Sequence, residues 1–240
     1  MQRSLVVLTG IEADGWEIAS DYRPARSIGG DFFDVFPLLD PARPRTLGVV
    51  IADVSGKGIA AALLMAFVRP VVRSALDRSG DPVEALVRTN RILVEERQTG
   101  LFVTVLAGIL DLDTGRFEFA NAGHEPPLLV PAEAGEPRWI DGGGALIGAF
   151  RDPGLERCTV EIEPGGRLVL YTDGITDAAN PAHGRFGETR LAITAGGGHA
   201  RDDTAGATVQ GVIDEVLRFQ GEADPADDLA LLVLRRLPAG

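Results

Sequence analysis

Apolar and polar positions follow two rhythms along this chain. From Thr46 to Ala52 nearly every position is apolar, which predicts a central strand covered on both faces. Phe102 to Leu110 reads as a second buried strand. Shorter strands are expected at Trp16–Tyr22, Phe32–Leu38, Arg116–Ala122, Pro127–Val130, Arg138–Ile140, Leu155–Ile162, Arg167–Thr172 and Asp228–Arg236. Turns at Asp111–Gly115 and Pro164–Gly166, and a hairpin loop at Pro41–Arg45, punctuate them. The helical rhythm begins after Gly56-Lys57-Gly58, in AALLMAFVRPVVRSAL, where Pro70 predicts a kink or a split. Asp81 as N-cap and Pro82 at the first helical position open another helix, running to about Gln98. Two more are expected around Glu188–Thr194 and Thr204–Phe219.

Strand runs and helix runs are segregated, and the strands have hairpin spacing. That predicts an α+β fold with mainly antiparallel sheets rather than a doubly wound one. A chain of 240 residues is most simply one domain. Its 45% apolar content is ordinary for a globular protein. A formal net charge of −12 argues against non-specific nucleic-acid binding and against docking on an anionic membrane. Cys158 is alone, so neither an intramolecular disulfide nor a Cys-rich zinc site is expected. No N-terminal secretory segment is visible, and the apolar run within Ile59–Val68 is too short to span a bilayer. A cytoplasmic location is the expectation.

The chemistry lies in the aspartates. Asp31 sits in GGDFFD, and Asp53 ends the run LGVVIAD before VSGKG. Asp173 follows RLVLYT, and Asp227-Asp228 opens DDLALLVL. Each has a bland explanation as a solvated turn, an Asx-turn or a helix cap. The set is harder to explain that way, because carboxylates are rarely buried unless paired or metal-bound. Hard divalent cations prefer oxygen ligands, so the set predicts a binuclear Mg²⁺ or Mn²⁺ site and metal-assisted hydrolysis. Gly29-Gly30 is expected to give the backbone freedom and to clear space for a ligand. SGKG is not a phosphate-binding P-loop, since Ile51 and Gly58 stand where that motif needs Gly and Ser or Thr. His124 lacks the partners of a Ser-His-Asp triad and is expected to be a hydrogen-bonded structural residue, while His183 and His199 carry little signal.

In order, ARSIGGDFFDV, VVIADVSGKGIAAALLMA, FVTVLAGILDLDTGRFEFANAGHEPPLLV, ALIGAF, LVLYTDGITDA, FGETRL and DDLALLVL resemble the PPM-type (type 2C) metal-dependent serine/threonine phosphatases, in their bacterial SpoIIE/RsbU-like branch. The resemblance runs from about Asp21 to Arg236. It implies an αββα sandwich over a core of about residues 16–237, with 1–10 as the remnant of a connecting helix. It implies that Asp31, Asp53, the Val54 carbonyl, Asp173 and Asp227 hold two Mn²⁺ or Mg²⁺ ions, Asp53 bridging them. Asp34 and Asp228 are candidates for an outer shell or a third metal. The implied reaction is in-line attack on phosphorus by a metal-activated water, without a phosphoenzyme. The implied partner is a phosphorylated STAS-domain anti-sigma-factor antagonist, with an N-terminal sensor domain or activator, and a homodimer is a candidate assembly. A catalytically weak binding module of the same fold and a small-phosphoester hydrolase are the alternatives. The chain departs from the family pattern at Ala230, where a Thr is usual, and at Glu125. Ser55 stands where eukaryotic relatives carry a His. Arg26 is the arginine nearest GGD, without an assigned role.

Overall fold

The computed structural model of the chain describes residues 13–26, 28–39, 43–95, 100–132, 135–182, 184–197 and 203–238. The connecting-helix remnant expected at 1–10 lies outside them. So do Pro41 and Ala42 of the expected hairpin loop, the helix end expected at Gln98, His183 and His199.

Two five-stranded sheets stack face to face. The strands are β1 (Trp16–Arg23), β2 (Phe32–Pro37), β3 (Thr46–Val54), β4 (Val103–Asp111), β5 (Arg116–Ala122), β6 (Leu128–Val130), β7 (Arg138–Trp139), β8 (Cys158–Glu161), β9 (Arg167–Tyr171) and β10 (Leu229–Arg236). One sheet has the order β1-β10-β9-β6-β7 and the other β2-β3-β4-β5-β8. Every strand pairing is antiparallel. Helices α1 (Ile59–Ser79) and α2 (Pro82–Glu95) cover the second sheet. Helices α4 (Gly187–Ala195) and α5 (Ala205–Gln220) cover the first, and α3 (Asp173–Thr176) is a single turn after β9. This is the α+β sandwich expected from the sequence.

The two-residue period of a strand sorts side chains into three apolar layers. Along β3, Val49 and Ile51 point between the sheets, while Val50, Ala52 and Val54 point at α1. Along β2, Phe33 and Val35 enter the inter-sheet layer, and Phe32 and Phe36 face the helix. On the other side Leu168, Leu170, Leu232 and Leu234 complete the middle layer, and Val169, Tyr171, Leu231 and Val233 pack under the helices. Each such large side chain contributes roughly 1.5–3 kcal/mol by its burial. The phase matters for function: any residue continuing the series 49-51 or 33-35 beyond the layer's end faces into the gap between the sheets.

Helix α1 corrects two expectations. It is not split at Pro70 but runs through it as one 21-residue helix. Pro70 lies on the exposed side, where water can satisfy the carbonyl that loses its amide partner. The helix is also long and apolar enough, by length and composition, to cross a bilayer, so the shortness of Ile59–Val68 decides nothing. Its packing is the better guide: Ala61, Met65, Val68, Val72, Ala75 and Leu76 are buried against the second sheet and α2. The start of α2 is as expected, with Asp81 Oδ1 accepting from the amides of Val83 (2.9 Å) and Glu84 (3.2 Å).

Replacing Pro70 with Ala should restore the missing helical hydrogen bond at an exposed position. Urea denaturation is expected to show a gain of about 1–3 kcal/mol. A loss of stability would mean that the helix needs the proline.

Candidate metal centre

The middle layer changes character at one end. Asp53 continues the phase of Val49 and Ile51 near the end of β3, and Asp31 continues that of Phe33 and Val35 just before β2. Thr172 and Asp228 stand in the same phase beside β9 and β10. Acids and a hydroxyl thus take the places that leucine and valine fill deeper in the sandwich. Asp31, Asp53, Asp227 and Asp228 line one depression with Ala25, Arg26, Ile28–Gly30 and Gly56–Gly58. The Val54 carbonyl faces the same loop, 3.0 Å from where a Cβ on Gly30 would lie. Asp173 adjoins at the first position of the one-turn helix α3.

The electrostatics are severe. Asp31 is only 2% exposed. Burial, then the charge and hydrogen bond of Asp53, push its carboxyl well above the usual carboxylate range. The Thr172 hydroxyl hydrogen-bonds Asp31 and pulls the other way. Asp53 is itself raised, first by burial and then by Asp227 and Asp228, with Lys57 opposing. Asp173 is pushed up to about 6 by burial and by repulsion from Asp53, Asp227, Asp177 and Glu125. Among the described residues, the ion pair Lys57–Asp227, 3.0 Å, is the only one made by Asp31, Asp53, Asp173, Asp227 or Asp228. No three side chains of His, Cys, Asp or Glu among the described residues form a ready-made metal cage. That suits a hard cation such as Mg²⁺, which retains several waters and takes few direct carboxylates. An all-oxygen donor set whose members raise one another's pKa fits such an ion.

Asp228 has a different job. Its Oδ1 accepts from the Ala25 amide (2.8 Å), and its Oδ2 accepts from the Gly30 amide (2.9 Å) and the Tyr22 hydroxyl (3.3 Å). The carboxylate therefore staples the 25–30 loop, and with it Asp31, to the end of β10. Gly29 is glycine because a Cβ there would overlap Asp228 and the Tyr22 hydroxyl; Gly174 likewise abuts the Asp228 backbone. The space at Gly29 is filled by protein, which corrects the expectation that it is cleared for a ligand.

Asp34 is not brought to this centre. It faces α1, 3% exposed, where Arg69 holds both its oxygens at 3.2 Å and Arg73 approaches to 3.4 Å. Its expected place in an outer metal shell is replaced by a buried ion pair. Ser55 is also committed, accepting from the Phe102 amide at 2.8 Å. His124 is buried, contacts the Thr104 hydroxyl at 3.1 Å and has its pKa pushed down to about 4 by burial, a structural histidine as expected. Cys158 sits on β8, away from the depression, with its thiol pushed up by burial. The sequence reading missed Tyr22 and Thr172. The Thr172 hydroxyl accepts from the Ala230 amide at 3.2 Å while serving Asp31, which supplies a hydroxyl close to where Ala230 lacks one.

The profile of the family described as Stage II sporulation protein E (SpoIIE) matches residues 43–237. Protein IcfG of Synechocystis sp. is 30% identical over 221 residues, covering 81% of this chain and 34% of IcfG. Phosphoserine phosphatase RsbU of Bacillus subtilis is 24% identical, covering 98% of this chain and 68% of RsbU. The chain thus spans about a third of the first relative and two thirds of the second. The crystal structure of the RsbU and RsbW domains of Rv1364c from Mycobacterium tuberculosis superposes with a TM-score of 0.77 at 28% identity, over 94% of this chain and 61% of that one.

Two predictions follow from this geometry. In metal-free protein Asp173 binds its proton more tightly folded than unfolded, so its stabilising contribution is present below the unfolded pKa and lost as pH rises through about 6. Asp173→Asn should therefore be the more stable protein at pH 7.5, by roughly 1–2 kcal/mol after allowing for solvent screening, with the gap closing below about pH 4. His124 has the opposite sign, losing stability as pH falls from 6.5 toward about 4, but it is common to both proteins and cancels in the difference. Chemical denaturation in EDTA at several pH values checks this, and equal stability at pH 7.5 would contradict it. Asp228→Ala should lower stability by about 2–4 kcal/mol because it strands two amides, and Asp228→Asn should lower it less. A loss under about 0.5 kcal/mol, the size of an ordinary surface change, would remove the staple.

Proposed function

The chain belongs to the SpoIIE family of PPM-type phosphatases, and on that premise we propose that it is a metal-dependent phosphoprotein phosphatase acting on phosphoserine or phosphothreonine. The observation that carries this reading is the convergence of Asp31, Asp53, Asp173 and Asp227 at the end of the inter-sheet layer, where burial and neighbouring carboxylates raise the pKa of three of them and, among the described residues, Lys57 is the one cation in an ion pair with any of the four. Those four carboxylates and the Val54 carbonyl would hold two Mg²⁺ or Mn²⁺ ions. Bound there, the ions would supply an acidified water to attack phosphorus and positive charge to offset the phosphoryl oxygens.

The chain's own residues have separable duties in this scheme. Asp31 and Asp53, both raised above the usual carboxylate range, would hold a cation in their ionised form, so metal affinity is expected to fall in acid. Thr172 orients Asp31, and Asp228 fixes the loop that carries it. No Cys or His is among the described residues lining the depression, in keeping with direct hydrolysis rather than a covalent enzyme intermediate.

The proposed substrate is a phosphorylated STAS-domain antagonist of an anti-sigma factor, as the resemblance in sequence implies; the likeness to the phosphoserine phosphatase RsbU supports a phosphoserine substrate. Regulation by an N-terminal sensor or an activator, dimerisation and a cytoplasmic location belong to the same reading. Phosphate release from a phosphoserine-bearing STAS protein is the test. Release is expected to require Mn²⁺ or Mg²⁺, to stop in EDTA and to fall at least about 100-fold in Asp53→Asn. Release that persists in EDTA would contradict the metal mechanism. Tight binding of Mn²⁺ and phosphoprotein with no release would favour a binding module.

A further inference from the structure

Of the chain's 23 basic residues only Lys57 is a lysine; the others are arginines. That lysine stands in the wall of the metal depression, between Gly56 and Gly58 and beside Asp53 and Asp227. Its ammonium lies 3.0 Å from Asp227 Oδ2 and donates to the Ala226 carbonyl at 2.6 Å. Both partners of the ion pair are nearly half exposed, 46% and 44%, so the pair is weak and readily exchanged.

We propose that Lys57 is the residue of this chain that grips the phosphoryl group, moving from Asp227 to a phosphate oxygen when the centre is loaded; this rests on the phosphatase reading above. Charge makes the case. Two divalent cations would do no more than balance four carboxylates overall, so a bound phosphate dianion leaves a net negative charge that a further cation offsets. Asp227, once engaged by a cation, no longer needs its lysine. The freed ammonium is already at the mouth, on a flexible stem with three rotatable donors, and is compact enough to exchange partners in a small space. The flanking glycines hold φ values of 91° and 78°, a conformation that favours glycine, and so fix the turn that aims the side chain. Arg26 also lines the depression but is exposed and makes no ion pair among the described residues. Its planar fork suits a fixed bidentate partner better than a transient one.

Lys57→Gln, Lys57→Arg and Arg26→Gln separate the possibilities. The readouts are calorimetric binding of inorganic phosphate to the Mn²⁺-loaded full chain, Mn²⁺ affinity itself, and kcat and KM on p-nitrophenyl phosphate. Lys57→Gln is expected to weaken phosphate binding and raise KM by at least about tenfold, as loss of a charge-assisted hydrogen bond should. Mn²⁺ affinity should hold or rise, because a competitor for Asp227 is gone. Lys57→Arg should recover part of the phosphate affinity, and Arg26→Gln should leave it within about twofold. Phosphate affinity unchanged in Lys57→Gln, or unmeasurable in the wild type, overturns the proposal. So does a parallel fall in Mn²⁺ affinity, which would make Lys57 a support for Asp227. Wild-type protein that binds phosphate through Lys57 yet hydrolyses neither p-nitrophenyl phosphate nor the phosphoprotein would end the phosphatase reading and leave the phosphate contact standing.

Discussion

Carboxylates that share a small, partly dry space repel one another, and the open end of this sandwich is organised around that repulsion. The chain eases it in three ways. Asp31 is hydrogen-bonded to Asp53 and to Thr172. Lys57 stands against Asp227. Asp228 is satisfied by two backbone amides and a tyrosine hydroxyl. What remains is a cluster of acids short of positive charge, carried at the end of three apolar layers.

Strand phase decides which acids take part. Asp31 and Asp34 are three residues apart, so they fall on opposite faces of the second sheet. Asp31 enters the gap between the sheets and meets other carboxylates. Asp34 enters the helix layer and meets Arg69 and Arg73, the latter also lying 4.3 Å from the Phe36 ring centre. One residue type thus serves reactivity in one layer and cohesion in the other. The staple at Asp228 then ties β1, β10 and the 25–30 loop together at the point where the two sheets must be held in register for the site to exist.

Much of this was legible in the sequence because antiparallel strands announce themselves locally. The apolar run at β3 marked a central strand, and the acids at its end and after β9 marked the carboxylates that the fold brings near one another. The α+β class followed from segregated strand and helix runs. The pairing of β1 with β10, Trp16 opposite Arg236, spans the whole chain and has no local signal. The roles of Asp228 and Tyr22 depend on that pairing and were hidden with it. Asp34 was misassigned because its nearness to Asp31 in sequence outweighed its phase. Pro70 suggested a break because the exposure that makes it tolerable is a property of the packed helix. Thr172 was legible only as part of a motif, since its partners Asp31 and Ala230 come from distant strands.

The most direct measurement is an anomalous-scattering map at the manganese edge from crystals grown with Mn²⁺. The arrangement predicts two manganese peaks in the depression, both in contact with Asp53, with Asp31, Asp173 and Asp227 around them and Asp34 remote. Absence of any peak at Asp53, or manganese bound instead beside Asp34, would contradict the claim that the converging carboxylates are a metal centre.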